Sequence, residues 1–312
     1  MKLEHIVEDQ DDQKRVVDIL CSRLGMSRLL SKKIRLYGVL NVNGVHYRMI
    51  DPVSKGDCIF VSYQEPLIPP PAILDDRENI KVLYCDDHIV VVSKPSGIVT
   101  HPTTGHQTGT LLDLFPEVKL HPVSRLDRET SGVIILARDP HSHYLLSLQH
   151  QNKTIVKEYI GFVHGIFDPA NGTINAPIKR APDSIMLRCV ADDGDTAITH
   201  YETVRTFPNI DTSIVKYRLE TGRTHQIRIH SLTYGHPLIG DGLYGASSDD
   251  NGHFQKSSYL DALLGRQALH ASSVTFSHPI TKIRLTFIAD LPEDMENLIL
   301  QMEENESKCK NK

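Results

Sequence analysis

The chain has no apolar run of about 18 residues, so no stretch suits a membrane-spanning helix, and the opening MKLEHIVEDQDDQKR lacks the apolar core of a secretion signal. A cytoplasmic protein with no membrane association is expected. Cysteine is sparse: Cys21, Cys58, Cys85, Cys189 and Cys309 are odd in number, widely scattered and without a CxxC pair. That pattern argues against a disulfide framework and a zinc site and predicts reduced thiols. Asp86, Asp87, His88 and His101 are near one another but not at ligand spacing, so no metal is expected. GDGLYG at 240–245 is glycine-rich but has no Walker lysine, which rejects a nucleoside-triphosphate loop. No internal repeat is apparent.

The chain's 312 residues, 40% hydrophobic and 23% charged, suit two domains with at least one sizeable core. A net charge of −5 would disfavour a nucleic-acid partner if it were spread evenly. It is not: residues 1–12 hold five acids and one lysine, and residues 290–306 hold seven acids and no base. The rest of the chain is slightly basic, so local stripes of charge decide whether phosphate can be held.

Residues 13–62 read as a small module. RVVDILCSRLG and SRLLSKKIRLYG have helical spacing, with Val16, Leu20 and Leu24, then Leu29, Leu30, Ile34 and Leu36, as apolar faces, Ser27 as N-cap and Gly38 as stop. VLNVNGVHYRM predicts a hairpin about Asn43-Gly44. Arg28, Lys32, Lys33, Arg35 and Arg48 fall in a stretch without an acid, which fits a phosphate-binding face and also an ordinary solvated one. Residues 63–79, with Pro69-Pro70-Pro71, predict an extended linker.

From Ile80 the pattern changes to strands. Ile89 to Val92 is the clearest; SHYLLSLQHQ predicts a helix with Tyr144, Leu145 and Leu148 inward, followed by strands at 155–163 and 199–207. Residues 168–195 predict a hairpin insertion over a cleft, its Lys179-Arg180 pair open to phosphate or to solvent. LETGRTHQIRIH at 219–230 is read as a strand, Ile227 and Ile229 facing one way and Arg228 and His230 the other. Residues 291–312 predict an amphipathic helix begun by Asp290 and Pro292, ending in a frayed tail.

The stretch with most chemistry is HPVSRLDRETSGVIIL at 121–136. Asp127 stands between Arg125 and Arg128 at the mouth of a buried strand. Positive neighbours favour an ionised carboxylate, which suits a nucleophile or general base. Alone, such a run also fits a solvated ion-pair cluster.

RLDRETSG resembles the catalytic motif of the RluA-like RNA pseudouridine synthases, with Ser124 where the family usually has His. The resemblance implies that Asp127 is the catalytic carboxylate and that Arg125 helps evict the target base. KPSG at 94–97 with His101-Pro102 resembles the family's loop near the active site. Lys157-Glu158-Tyr159 resembles its K-x-Y motif, whose Tyr stacks on the base. TGRTHQIRxH implies that Arg228 pairs with Asp127, and Lys94, Arg128 and Arg223 are expected to meet RNA. GHPLIGDGLYG and Leu269-His270-Ala271 are further matches, His270 being expected to be structural. Residues 13–62 resemble the alpha-L RNA-binding domain of a ribosomal small-subunit protein, which implies RNA contacts from Arg28, Lys32, Lys33 and Arg35.

The fold so implied is α+β: a catalytic domain over 80–290 on a mixed, mostly antiparallel sheet with a central cleft, preceded by a small α/β RNA-binding domain. The activity implied is isomerisation of uridine to pseudouridine in ribosomal or transfer RNA by a monomer. The reaction conserves bond energy, so no cofactor is expected. A nucleosidase would need a second carboxylate with a raised pKa, and none is evident. An RNA-binding module without catalysis would predict RNA retention without isomerisation.

Overall fold

The computed structural model describes residues 1–65, 80–103, 105–182, 184, 186–245 and 258–310. The proline-rich linker lies almost wholly outside the described residues. The N-terminal unit comprises β1 (Lys2–Ile6), α1 (Val16–Ser22), α2 (Arg28–Tyr37), β2 (Val39–Val42), β3 (Val45–His46) and β4 (Cys58–Ser62), with sheet order β1-β4-β2-β3. Ser27 caps α2 by accepting from the Leu30 amide at 3.1 Å. The hairpin turns at Asn43 and Gly44, with φ of 52° and 81°.

Two expectations are corrected here. The sheet takes in Lys2–Ile6, ahead of residue 13, and that short strand, bearing Lys2, Glu4 and His5, carried no hydrophobic run to announce it. On α2, Leu30 and Ile34 are buried, whereas Leu29 and Leu36 are 67% and 55% exposed. At 100° per residue, Leu29 and Leu36 share a flank that Leu30 and Ile34 leave outside.

The larger sheet is assembled from β5 (Lys81–Cys85), β6 (Ile89–Lys94), β7 (His121–Pro122), β8 (Ser131–Ala137), β9 (Val156–His164), β10 (Asn171–Asn175), β13 (Ile198–Phe207), β14 (Thr212–Leu219), β15 (Leu269–Ser277) and β16 (Arg284–Ile288). A separate hairpin joins β11 (Ile178–Arg180) to β12 (Arg188–Val190), and the helices are α3 (Pro140–Gln151), α4 (Gln226–Thr233), α5 (Ser258–Leu264) and α6 (Glu293–Lys310). The path is β10-β13-β14-β9-β15-β8-β6-β5, with β16 beside β15 and β7 beside β8. All pairings in it are antiparallel except β8 with β15.

At that parallel contact the backbones approach closely. Gly132 has φ of +113°, and a Cβ there would lie 2.2 Å from the Ala271 carbonyl oxygen. Next to it the Ser131 hydroxyl meets His270 Nδ1 at 2.9 Å, while His270 Nε2 lies 3.1 Å from the Ala289 carbonyl. His270 is thus part of the strand packing. On α3, capped by Asp139, the buried apolar residue is Leu146 rather than Tyr144, Leu145 or Leu148.

The strand expected over 219–230 is also corrected. β14 ends at Leu219, and Gln226 to Thr233 form α4 after His225, whose φ is 59°. Every residue from Gln226 to Ser231 is buried, so the apolar-polar alternation reports no inside and outside. The polar ones are satisfied internally: His230, for example, meets Thr199 Oγ1 at 2.8 Å and the Ala176 carbonyl at 2.9 Å.

Candidate active site

Asp127 lies in the loop leading into β8, and that loop is fixed from several directions. Leu126 is pinned by Thr100, whose hydroxyl is 3.2 Å from both its amide and its carbonyl. The Arg128 carbonyl accepts from the Gly97 amide at 2.9 Å and from Lys94 Nζ at 3.0 Å. The Glu129 carbonyl accepts from Arg266 at 3.1 Å, and the Thr130 hydroxyl from Gln267 at 3.3 Å. Arg266 is in turn held at 2.7 Å and 2.9 Å by Asp294 of α6.

Lys94 is where the structure departs most from expectation. Instead of facing RNA it is fully buried, and its Nζ also donates to the carbonyls of Pro95 and Ile98, each at 2.8 Å. Burial pushes its amine down to about 7 against the pull of Asp127 and Glu129. Three carbonyl acceptors match the three N–H groups of an ammonium, so the charged form is the one this cage fits. The KPSG turn is thereby a clamp beneath the Asp127 loop.

Above the loop, α4 brings Arg228 to Asp127, Nη1 to Oδ2 at 3.2 Å. The guanidinium is only 4% exposed. Its other edge is gripped by buried Asp241, Nε to Oδ2 at 2.7 Å and Nη2 to Oδ1 at 2.6 Å. Burial alone would lower Arg228, but the hydrogen bonds and charge of Asp241, with Asp127, outweigh it and raise the pKa. Asp241 Oδ1 also accepts from the Leu243 and Tyr244 amides at 3.0 Å. Gly240 has φ of +72°, and a Cβ there would lie 2.1 Å from the Arg266 carbonyl. The Gly-Asp of GDGLYG thus exists to close this bend and present a carboxylate to Arg228.

His225, absent from the sequence-derived set, approaches the same oxygen of Asp127, Nε2 to Oδ2 at 3.9 Å. Its Nδ1 is 2.8 Å from the Tyr244 hydroxyl, which accepts from the Arg188 amide at 2.9 Å. If Tyr244 spends its one proton on Nδ1, neutral His225 carries its proton on Nε2, towards Asp127. Burial lowers the His225 pKa and the charge of Asp127 opposes this. The signal was present in TGRTHQIR, but only the left-handed turn at His225 shows which way the ring goes.

Tyr159 of β9 lines a narrow slot, partly open to solvent, with Ser124, Leu126, Val133, Ile135 and Val274 among its walls. Burial, and then the charge of Asp127, raise the Tyr159 pKa, so the phenol is neutral. Arg125 and Arg128 are exposed, Arg128 bonding Glu129 at 2.7 Å. Arg223 donates to the Thr196 carbonyl at 3.0 Å. Arg28, Lys32 and Arg35 are exposed on α2, whereas Lys33 is turned to Glu65 at 3.1 Å. Among the described residues no group of three or more His, Cys, Asp or Glu could hold a metal ion, and no helix is long and apolar enough to cross a membrane.

The sheet places the chain in a known class of fold. Human RNA Pseudouridylate Synthase Domain Containing 4 superposes with a TM-score of 0.57 at 23% identity, covering 71% of this chain and 92% of that one. Human RNA Pseudouridylate Synthase Domain Containing 1 does so with a TM-score of 0.54 at 21% identity, covering 76% and 98%. The sequence is more specific. Residues 88–233 match the RNA pseudouridylate synthase family. An uncharacterized RNA pseudouridine synthase of Bacillus subtilis is 36% identical over 88% of this chain and 95% of its own length. The ribosomal large subunit pseudouridine synthase D of Pseudomonas aeruginosa is 35% identical over 82% of each chain. The chain belongs to the RNA pseudouridylate synthase family, in its RluA-like branch, and is an isomerase.

Proposed function

We propose that the protein converts specific uridines of large-subunit ribosomal RNA to pseudouridine, with Asp127 as the catalytic carboxylate. The observation carrying this reading is the chain Asp241–Arg228–Asp127, which fixes a partly exposed carboxylate beside the aromatic slot. The name of the relative in Pseudomonas aeruginosa supports the choice of RNA.

The reaction breaks the bond from uracil N1 to ribose C1′, turns the ring and joins C5 to C1′; C5 loses a proton and N1 gains one. In folded RNA those atoms are out of reach, so the base is flipped out. Arg125, exposed at the loop tip, fills the gap, and Tyr159 supplies the surface that replaces lost stacking, roughly 1–3 kcal/mol per base. Asp127 then attacks C1′ or removes a ribose proton; both steps begin from the ionised carboxylate that Arg228 orients. Exposed Arg28, Lys32 and Arg35 with the 77% exposed Tyr37 support RNA binding by the N-terminal unit, whose sheet begins at Lys2, ahead of a catalytic unit over 80–290. Action as a cytoplasmic monomer belongs to the same reading.

The test incubates the protein, without added cofactor, with total RNA from cells lacking its gene and maps pseudouridines by carbodiimide-stop sequencing beside D127N. A site in large-subunit ribosomal RNA formed only by the unaltered protein is expected. A site in transfer RNA alone would overturn the choice of substrate, and bound RNA without any new site would overturn the reaction.

A further inference from the structure

Lys157 and His150 have no task in the account above. Lys157 lies two residues before Tyr159 on β9, hence on the same face, and its Nζ is 3.0 Å from Nε2 of His150 on α3. Both residues line the slot. The loop before α4 encloses them: a Cβ added to Gly222 would lie 3.6 Å from Lys157 Nζ and 3.8 Å from His150 Nε2. Among the described residues, His150 is the one hydrogen-bond partner of Lys157, and no carboxylate lies within ion-pair distance of it.

An ammonium offers three donors, and one imidazole nitrogen takes one of them. Burial holds His150 down to about 4, with Lys157 acting in the same direction, so near neutral pH its ring is an uncharged acceptor. Lys157 is half-buried and is left with two donors beside walls formed by Val133, Ile135 and Val274, so only water in the slot serves them until a ligand brings acceptors. A phosphate would have to be stripped of water there, whereas a uracil ring is flat and neutral with carbonyl oxygens on its rim. Position within the slot selects one of those oxygens. In the sheet Ser131 at the start of β8 is level with His270 and Ile160, whereas Lys157 is level with Val274, four residues further along in the direction away from Asp127, so Lys157 sits at the end remote from Asp127. With Asp127 at the sugar, the remote end of the base is its 4-position.

We propose that Lys157, oriented by His150, donates a hydrogen bond to the 4-carbonyl of the flipped uracil and so selects uracil against cytosine, whose 4-amino group presents hydrogens instead of a lone pair. This rests on the function proposed above. Lys157 is a specificity-determining residue and His150 a positioning residue.

The test uses the full chain in the D127N background and oligoribonucleotides spanning the site that the unaltered protein modifies, with uridine or cytidine at the target. D127N is expected to bind the uridine oligonucleotide about tenfold or more tightly, and D127N/K157M to lose that preference while holding the cytidine oligonucleotide within about twofold of D127N. D127N/H150F, which leaves the ammonium without its guide, is expected to lose part of the preference, and D127N/H150Q, which restores an acceptor, to regain it. A purely structural role for Lys157 would lower the melting temperature and weaken both complexes alike. A uridine preference unchanged in K157M overturns the proposal, as does its absence in D127N; if K157M fails to fold, an unchanged preference in H150F overturns it. Unaltered protein that makes no pseudouridine in any RNA removes the functional reading itself. Normal isomerisation with equal binding of uridine and cytidine removes only this inference.

Discussion

Asp127 and Arg228 are legible in the sequence because their chemistry is carried by motif strings that place an acid among bases. Asp241 is not, because only the fold shows that a carboxylate after a left-handed glycine grips Arg228 from behind. The Arg228 charge is buried at 4% exposure, so removing that carboxylate takes away both of its short contacts and leaves the cation only the 3.2 Å contact with partly exposed Asp127. Asp241→Ala is expected to destabilise the protein by about 3–5 kcal/mol in urea titration and to lower turnover, since Arg228 would no longer be aimed at Asp127. Gly132 is a second residue whose need is geometric. At φ of +113° and with backbone 2.2 Å from its would-be Cβ, Gly132→Ala is expected to cost at least about 3 kcal/mol, read by the same titration. Lys94 shows the converse: the motif was recognised and its direction misjudged, because an extended Lys-Pro turn looks the same whether its lysine points out or in. Lys94→Met leaves the Pro95 and Ile98 carbonyls without their lysine donor, while the Arg128 carbonyl keeps the Gly97 amide, and roughly 1–3 kcal/mol of stability is expected to be lost for each carbonyl that stays buried and unpaired.

Strands with a plain apolar run, such as β6 and β8, were readable as elements, and so were α1, α2, α3 and the Asn43-Gly44 hairpin. α4 was not, because it is buried all round and its polar residues pair inside, so neither helical nor strand period reports its surroundings. β1 escaped for the opposite reason, being short, charged and at a sheet edge. The packing of the N-terminal elements makes its own prediction through Asp11. Its carboxylate bonds Arg23 at 2.7 Å and Lys14 at 2.9 Å, which lowers its pKa from 3.8 to about 2. A carboxyl lowered on folding stabilises above its unfolded value and loses that contribution as pH falls through the folded one. Thermal melts are therefore expected to show wild type losing its advantage over Asp11→Asn between pH 3.8 and about 2. An advantage constant across that window would contradict the ion-pair account.

The net charge of −5 misdescribes the face proposed to meet RNA. Part of the acid at the C-terminal end is spent on the protein itself: Asp290 pairs with Lys81, Asp294 with Arg266, and Glu306 accepts from Asn209. Among the described residues, exposed Arg28, Lys32 and Arg35 of α2 are not spent in that way, whereas Lys33 is. Replacing Arg28, Lys32 and Arg35 together by Gln is expected to weaken binding to all RNAs and to reduce the slope of log affinity against log salt by about 2 to 3, measured by filter binding. An unchanged slope would move the phosphate contacts elsewhere. The central claim concerns Asp127, and the most direct measurement is the single-turnover rate of pseudouridine formation on the mapped RNA site by wild type and D127N, alongside their affinities for that RNA. The account predicts that D127N binds within about threefold of wild type and forms no detectable pseudouridine, because Asn keeps the shape of the side chain and an oxygen to accept from Arg228 but lacks the carboxylate that the reaction needs. Turnover by D127N near the wild-type rate would contradict it.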